Sequence, residues 1–191
     1  MLKLPRTIRL DPSDTFVFER AAEPGEWAVS GAFVFWERNP AALGQKARVA
    51  LRSGFLGVDS LGWSTLAVVT EATGLERQAV VERLASQLLE KFGAPDLAAA
   101  RIAAEEEVAF AASLCDHPPQ TLLAVQRSVE DGEIRERFRT LRPRQATDDT
   151  DRPPAHAKAF TFHEVEGDVE PVEAVDLLGL IKTDRMTTDR T

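Results

Sequence analysis

Cys115 and His117, in "LCDHPPQ", are the first residues whose types could do chemistry: the single cysteine of the chain, with one of its three histidines two positions on. A thiolate is the nucleophile and the metal ligand, and it is favoured at a helix N-terminus, where the dipole is positive. Cys115 instead follows a long helical pattern and precedes Asp116, and both features disfavour a thiolate. Residues two apart on a helix do not face each other, so a direct Cys–His pair would require the chain to bend between them. A metal would need two more ligands, and His156 and His163 lie far along the chain. The pair therefore reads as a helix end, with a buried thiol closing an apolar stripe and a histidine near the last carbonyls. No metal or cofactor is implied.

Glu107 is the best general-base candidate. It is the last of three consecutive glutamates, Glu105 to Glu107, in "LAAARIAAEEEVAFAASLC". At 100° per residue Glu105 and Glu106 point away from the stripe of Ala100, Ala104, Val108, Ala111 and Cys115, and Glu107 falls beside it. A carboxylate there is partly desolvated, which raises its pKa. The commoner fate is to bend to solvent or pair with an arginine, and no histidine shares the helix.

The stretch "SGFLGVDSLGWS" is the third candidate. Backbone amides in such a loop can form an anion nest. It lacks the lysine ending of a phosphate loop, the spacing of a dinucleotide fingerprint and the second glycine of a nucleophile elbow. It could still line a pocket with Phe55, Asp59, Trp63 and Ser64 as ligand-binding residues. A fourth candidate is of another class: near the C-terminus, Leu177, Leu178 and Ile181 form a small apolar face that must dock on its own chain or in a partner's groove.

The elements that must position these residues follow from periodicity. Alternation in "DTFVFER" and "GEWAVSGAFVFWER" predicts strands over 14–20 and 27–36, joined as a hairpin, with the second apolar on both faces. A helix over 40–53 is expected from Asn39 as cap, Pro40 in the first turn and Gly54 as a left-handed stop. A strand over 62–70 precedes the best-specified helix, 73–92. There Thr73 and Glu76 have capping-box spacing, Leu75, Val80, Leu84, Leu88 and Phe92 form a stripe, and Gly93 ends it. A third helix spans 96–114. Strands over 121–129 and 133–141 flank Asp131-Gly132, a strong hairpin signal, and Arg135, Arg137 and Arg139 give the last one the solvent face of an edge strand.

The expected architecture is α+β over 1–141, an antiparallel sheet with helices packed on one face. A polar, proline-rich linker follows over 142–157, and a C-terminal arm over 158–191 with a short strand and a short amphipathic helix. A formal charge of −8 and the absence of a basic run argue against nucleic acid and anionic membranes. One cysteine excludes a disulfide framework, and no run of apolar residues is long enough for a membrane span. The start, "MLKLPRTIRLDPSD", has no secretory pattern, so the expected compartment is the cytoplasm. The scarcity of lysine beside abundant arginine and alanine suggests a GC-rich bacterial genome.

"LPRTIRLDPSDTFVFERAAEPGEWAVSGAFVFWE", "SGFLGVDSLGWSTL" and "FAASLCDHPPQTL" resemble a small bacterial family classed as a domain of unknown function, over most of residues 3–142. The resemblance implies a cytoplasmic bacterial protein. Such proteins look like neighbours of a biotin/lipoate-ligase-like protein, which suits an accessory role, and the resemblance carries over no catalytic residues. The function expected is thus a non-catalytic accessory or protein-interaction module, with the arm as partner contact and no oligomeric state specified. The rival expectation is a small-molecule-binding enzyme with its pocket between the 54–62 loop and the 96–115 helix.

Overall fold

The turn at Asp131-Gly132 organises the largest piece of the fold. Both residues have positive φ, 53° and 83°, as a two-residue hairpin matched to strand twist requires. The turn joins β6 (Leu122–Glu130) to β7 (Glu133–Pro143), paired antiparallel from Glu130↔Glu133 to Leu122↔Leu141. The chain, seen in a computed structural model that describes residues 1–143 and 163–166, is α+β, with two antiparallel sheets and helices packed against them.

In the first sheet the strand order is β1-β5-β6-β7-β8, with β1 at Lys3–Ile8, β5 at Leu66–Glu71 and β8 at His163–Glu166. Strand β1 has no legible signal in the residues, because Pro5 and the charges of Lys3 and Arg6 obscure it. As an outer strand paired to β5 alone within this sheet, it loses nothing from a residue without an N–H. The expected edge strand is not an edge along its whole length: Thr140–Pro143 of β7 pair with β8. Arg142 and Pro143, expected to open the linker, are therefore strand residues. Residues 144–157 of that linker lie outside the described residues, as does the expected arm helix with Leu177, Leu178 and Ile181.

The second sheet, β2-β3-β4 (Ala28–Val29, Phe55–Gly57 and Trp63–Ser64), replaces two expectations. Residues 14–20 contain a helical turn, α1 (Asp14–Val17), with Phe16 exposed and Phe18 buried. The 27–36 run keeps only two strand residues. It then turns at Gly31, φ +76°, into a 3₁₀ turn over Ala32–Phe35. The run is apolar at both parities, so alternation could not distinguish a strand from a tight helical turn. Gly31 decides it: a Cβ there would lie 2.5 Å from Cβ of Leu56.

Three helices cover the sheets. Asn39 caps a 3₁₀ turn, Pro40–Ala42, by accepting from the Ala41 N–H at 3.0 Å, and α2 (Gln45–Ser53) starts only after Gly44. Gly54 follows it at φ −100°, not left-handed; its missing Cβ leaves room for the Trp63 ring. Helix α3 (Gly74–Lys91) has both bonds of its capping box, and Gly93 turns left-handed after it at φ +71°. Val80, Leu84 and Leu88 are buried, but Leu75 is 81% exposed, because five residues before Val80 places it about 140° around the helix. Helix α4 (Leu97–Ser113) is capped by Asp96, which accepts from the Ala99 N–H at 2.8 Å. Its buried stripe of Ala100, Ala104, Val108 and Ala111 lets α3 and α4 approach closely, since small side chains permit short interaxial distances. Among the described residues no helix is long and apolar enough to cross a membrane.

Candidate functional site

Strand parity places one charged residue in the interior. Leu123, Val125 and Arg127 share the inward face of β6, and Arg127 is only 3% exposed. Its register partner on β7 is Glu136, whose Oε1 accepts from Arg127 Nε at 2.7 Å. Arg127 Nη1 donates to the carbonyls of Gly54 at 2.8 Å, Leu51 at 3.2 Å and Ala50 at 3.5 Å. Its Nη2 donates to the Ser30 carbonyl and, at 3.1 Å, to Ser30 Oγ, and Ser30 Oγ donates to Glu136. A guanidinium therefore caps the C-terminus of α2, where carbonyls without helical partners carry partial negative charge. Burial lowers the pKa of Arg127, and Glu136 and Glu107 oppose that shift. The sequence signal was available: an arginine at the same parity as two apolar residues on a central strand.

One turn of backbone links this network to Glu107. Gly31 follows Ser30, and its N–H donates to Glu107 Oε1 at 2.9 Å. Desolvation raises the Glu107 pKa, the Gly31 bond opposes it, nearby Glu136 adds to it and Arg127 opposes it. The expected position beside the α4 stripe is thus where Glu107 sits, half-buried. Among the described residues its second oxygen has no hydrogen-bond partner. Glu107 lines an open groove of about 920 Å³, formed by the segment after Gly31, the end of α3 and α4. Phe33, Trp36, Phe92 and Phe110 contribute its aromatic surface. Phe33 meets Phe92 edge-to-face at 5.3 Å and Trp36 at 6.5 Å. Trp36 is 73% exposed, although aromatic rings of this size normally dominate core burial.

The glycine-rich loop does form an anion nest, and the chain fills it itself. Glu26, buried, accepts through Oε2 from the N–H groups of Ser60 at 2.9 Å and Asp59 at 3.1 Å, and through Oε1 from Glu23 N–H at 2.6 Å. Gly57 is glycine because a Cβ would meet Glu26 Oε2 at 2.7 Å. Phe55 and Trp63 are buried in β3 and β4, with Trp63 stacked on Phe35 at 5.3 Å. The Ser64 hydroxyl donates to the carbonyls of Leu66 and Ile8. Asp59 is exposed and pairs with Arg83 at 3.3 Å. Phe55, Asp59, Trp63 and Ser64 lie outside the groove that contains Glu107.

Cys115 is buried against Phe55, Ala67, Val69 and Leu123. Burial pushes its thiol up to about 12, against a small opposing effect of Lys3, so a thiolate is absent at neutral pH. His117 lies past the helix end, where its backbone carbonyl accepts from Lys3 Nζ at 2.6 Å. Among the described residues no cluster of three or more His, Cys, Asp or Glu could hold a metal ion.

The model of a family of unknown function, DUF6505, matches residues 1–156. No curated protein and no solved structure matches the chain.

Proposed function

This chain belongs to the family of unknown function DUF6505, and from that premise we propose that it is a non-catalytic accessory protein of the cytoplasm that binds another protein. The observation that carries the reading is the open aromatic groove with Trp36 on its exposed side. Exposed aromatics beside half-buried ones are the composition of binding hot spots, and contiguous apolar surface on a folded chain commonly marks an interaction site. Three other groups with reactive chemistry are occupied within the fold, and Glu107 alone of the candidates lines the groove. The thiol of Cys115 is buried and protonated, the Glu26 carboxylate holds a loop, and Arg127 and Glu136 neutralise each other inside the sheet. In sequence, Leu177, Leu178 and Ile181 offer a second apolar contact in the same reading.

The test compares baits in extract of the native host: the full chain, a Trp36→Glu variant, and a chain lacking residues 167–191. A protein retained by the full chain, lost with Trp36→Glu and rebound by the purified pair supports the reading. Identical sets of retained proteins for the full chain and the Trp36→Glu bait would refute a role for the groove.

A further inference from the structure

We propose that the groove recognises a cationic side chain, arginine or lysine, set among apolar residues of a partner segment. This rests on the binding-module reading and names the chemistry of the occupant. The charged residues at the groove mouth, Glu37, Arg38, Lys91 and Glu106, are all exposed and comprise two of each sign. They define no preference. The interior is different: its one charged residue is Glu107, half-buried, with Oε1 fixed by the Gly31 N–H and no protein donor on the second oxygen among the described residues.

Phe33, Trp36, Phe92 and Phe110 line the same groove; aromatic faces attract a cation, and aromatic surface accommodates an apolar stem. An arginine or lysine side chain has both parts, a charged head and an aliphatic stem that covers apolar surface. An anion would face Glu107 directly. A neutral apolar segment would leave the carboxyl desolvated without a partner, which is costly. The overall acidity of the chain, −8, draws in a basic segment over a longer range.

Protonation gives the inference a signature. Glu107 faces Arg127 and Glu136 across the Gly31 turn and shares the groove with Glu37, Arg38, Lys91 and Glu106. Its pKa is raised by burial, so a cation must displace the proton where Glu107 is protonated, and affinity should rise as pH increases through the Glu107 titration. The exposed charges lie at the mouth and are screened by solvent.

The experiment titrates the full chain, with its indole nitrogens isotopically labelled, with three five-residue peptides that have two leucines on each side of arginine, glutamine or glutamate. n-Butylammonium is the fourth probe. The expected result is a shift of the Trp36 indole resonance, assigned with a Trp36→Phe variant, and binding of the arginine peptide about tenfold tighter than the glutamine peptide. The Glu107→Gln variant, which can still accept from Gly31, should reduce that preference to about twofold and remove its pH dependence. Equal binding of all three peptides at Trp36 overturns the inference but leaves the groove as a binding surface. Equal binding by n-butylammonium overturns the claim of a partner segment. No binding by the arginine peptide also overturns it, and the bait comparison then decides the broader reading separately.

Discussion

Arg127→Met should be the most damaging single substitution on the strands of this chain. The side chain it removes donates to Ala50, Leu51, Gly54, Ser30 and Glu136. Methionine fills much of the volume and supplies no donor. Breaking a buried ion pair by removing one partner costs about 3–5 kcal/mol. The α2 carbonyls left without a donor would add to that, about 1–3 kcal/mol for each that water cannot reach. A loss of about 4 kcal/mol is a large part of the ~5–15 kcal/mol that holds a domain folded. Glu136→Gln should cost only about 1–2 kcal/mol, because its amide oxygen can still accept from Arg127 Nε while carbonyl dipoles continue to solvate the guanidinium. The pair Arg127→Met with Glu136→Leu removes the stranded carboxylate and should recover part of the loss, not all. Urea unfolding followed by tryptophan fluorescence reads these differences as shifts in midpoint at unchanged slope. Full recovery in the double variant would refute the argument that Arg127 caps α2, and a cost below about 1 kcal/mol for Arg127→Met would refute it altogether.

Three further outcomes follow from the same geometry. Cys115, with its thiol near 12 and its side chain buried, should react with a disulfide reagent at pH 8 only as fast as the chain opens, and at once in urea; prompt reaction of the folded chain would contradict the burial. Glu26→Gln should lower stability by about 2 kcal/mol, because both carboxylate oxygens face N–H donors and either amide orientation sets donor against donor; unchanged hydrogen-exchange protection at Asp59 and Ser60 would contradict it. Gly31→Ala should cost about 2–4 kcal/mol from left-handed strain and overpacking against Leu56, whereas Gly25→Ala, at φ +87° with nothing within 4 Å, should show only the backbone part; equal melting temperatures for the two would contradict the packing argument.

Local signals in the sequence were legible where one element carries all of its own reasons. Thr73 and Glu76 bond to each other, so the start of α3 was readable from four residues. Asp131 and Gly132 supply the two positive φ values of their own turn. The second sheet has no such independence. Its strands are two or three residues long, below the length at which alternation carries information. They are held in place by Glu26 reaching Asp59 and Ser60, and by Arg127 reaching Ser30 across 97 positions. Bonds of that span leave no periodic trace, and β1 was obscured by the same proline that its outer position tolerates.

The groove shows the same division between what one helix fixes and what two distant segments make together. Helical geometry alone put Glu107 beside the buried stripe, and there it lies. What makes it more than a buried carboxyl is Gly31, 76 residues earlier, and the turn into the 3₁₀ segment that brings Phe33 and Trp36 over α4. Strand alternation over 27–36 puts Phe33 and Phe35 on one face and Trp36 on the other; as a tight turn the chain regroups them, Phe35 going to Trp63 in the core and Phe33 and Trp36 together to the groove. The misread element and the unforeseen groove therefore have one cause. A glycine whose N–H is held by a carboxylate redirects apolar residues that a strand would have stacked in the interior, and among the described residues the groove they line combines exposed aromatic area with a carboxylate oxygen that has no protein donor.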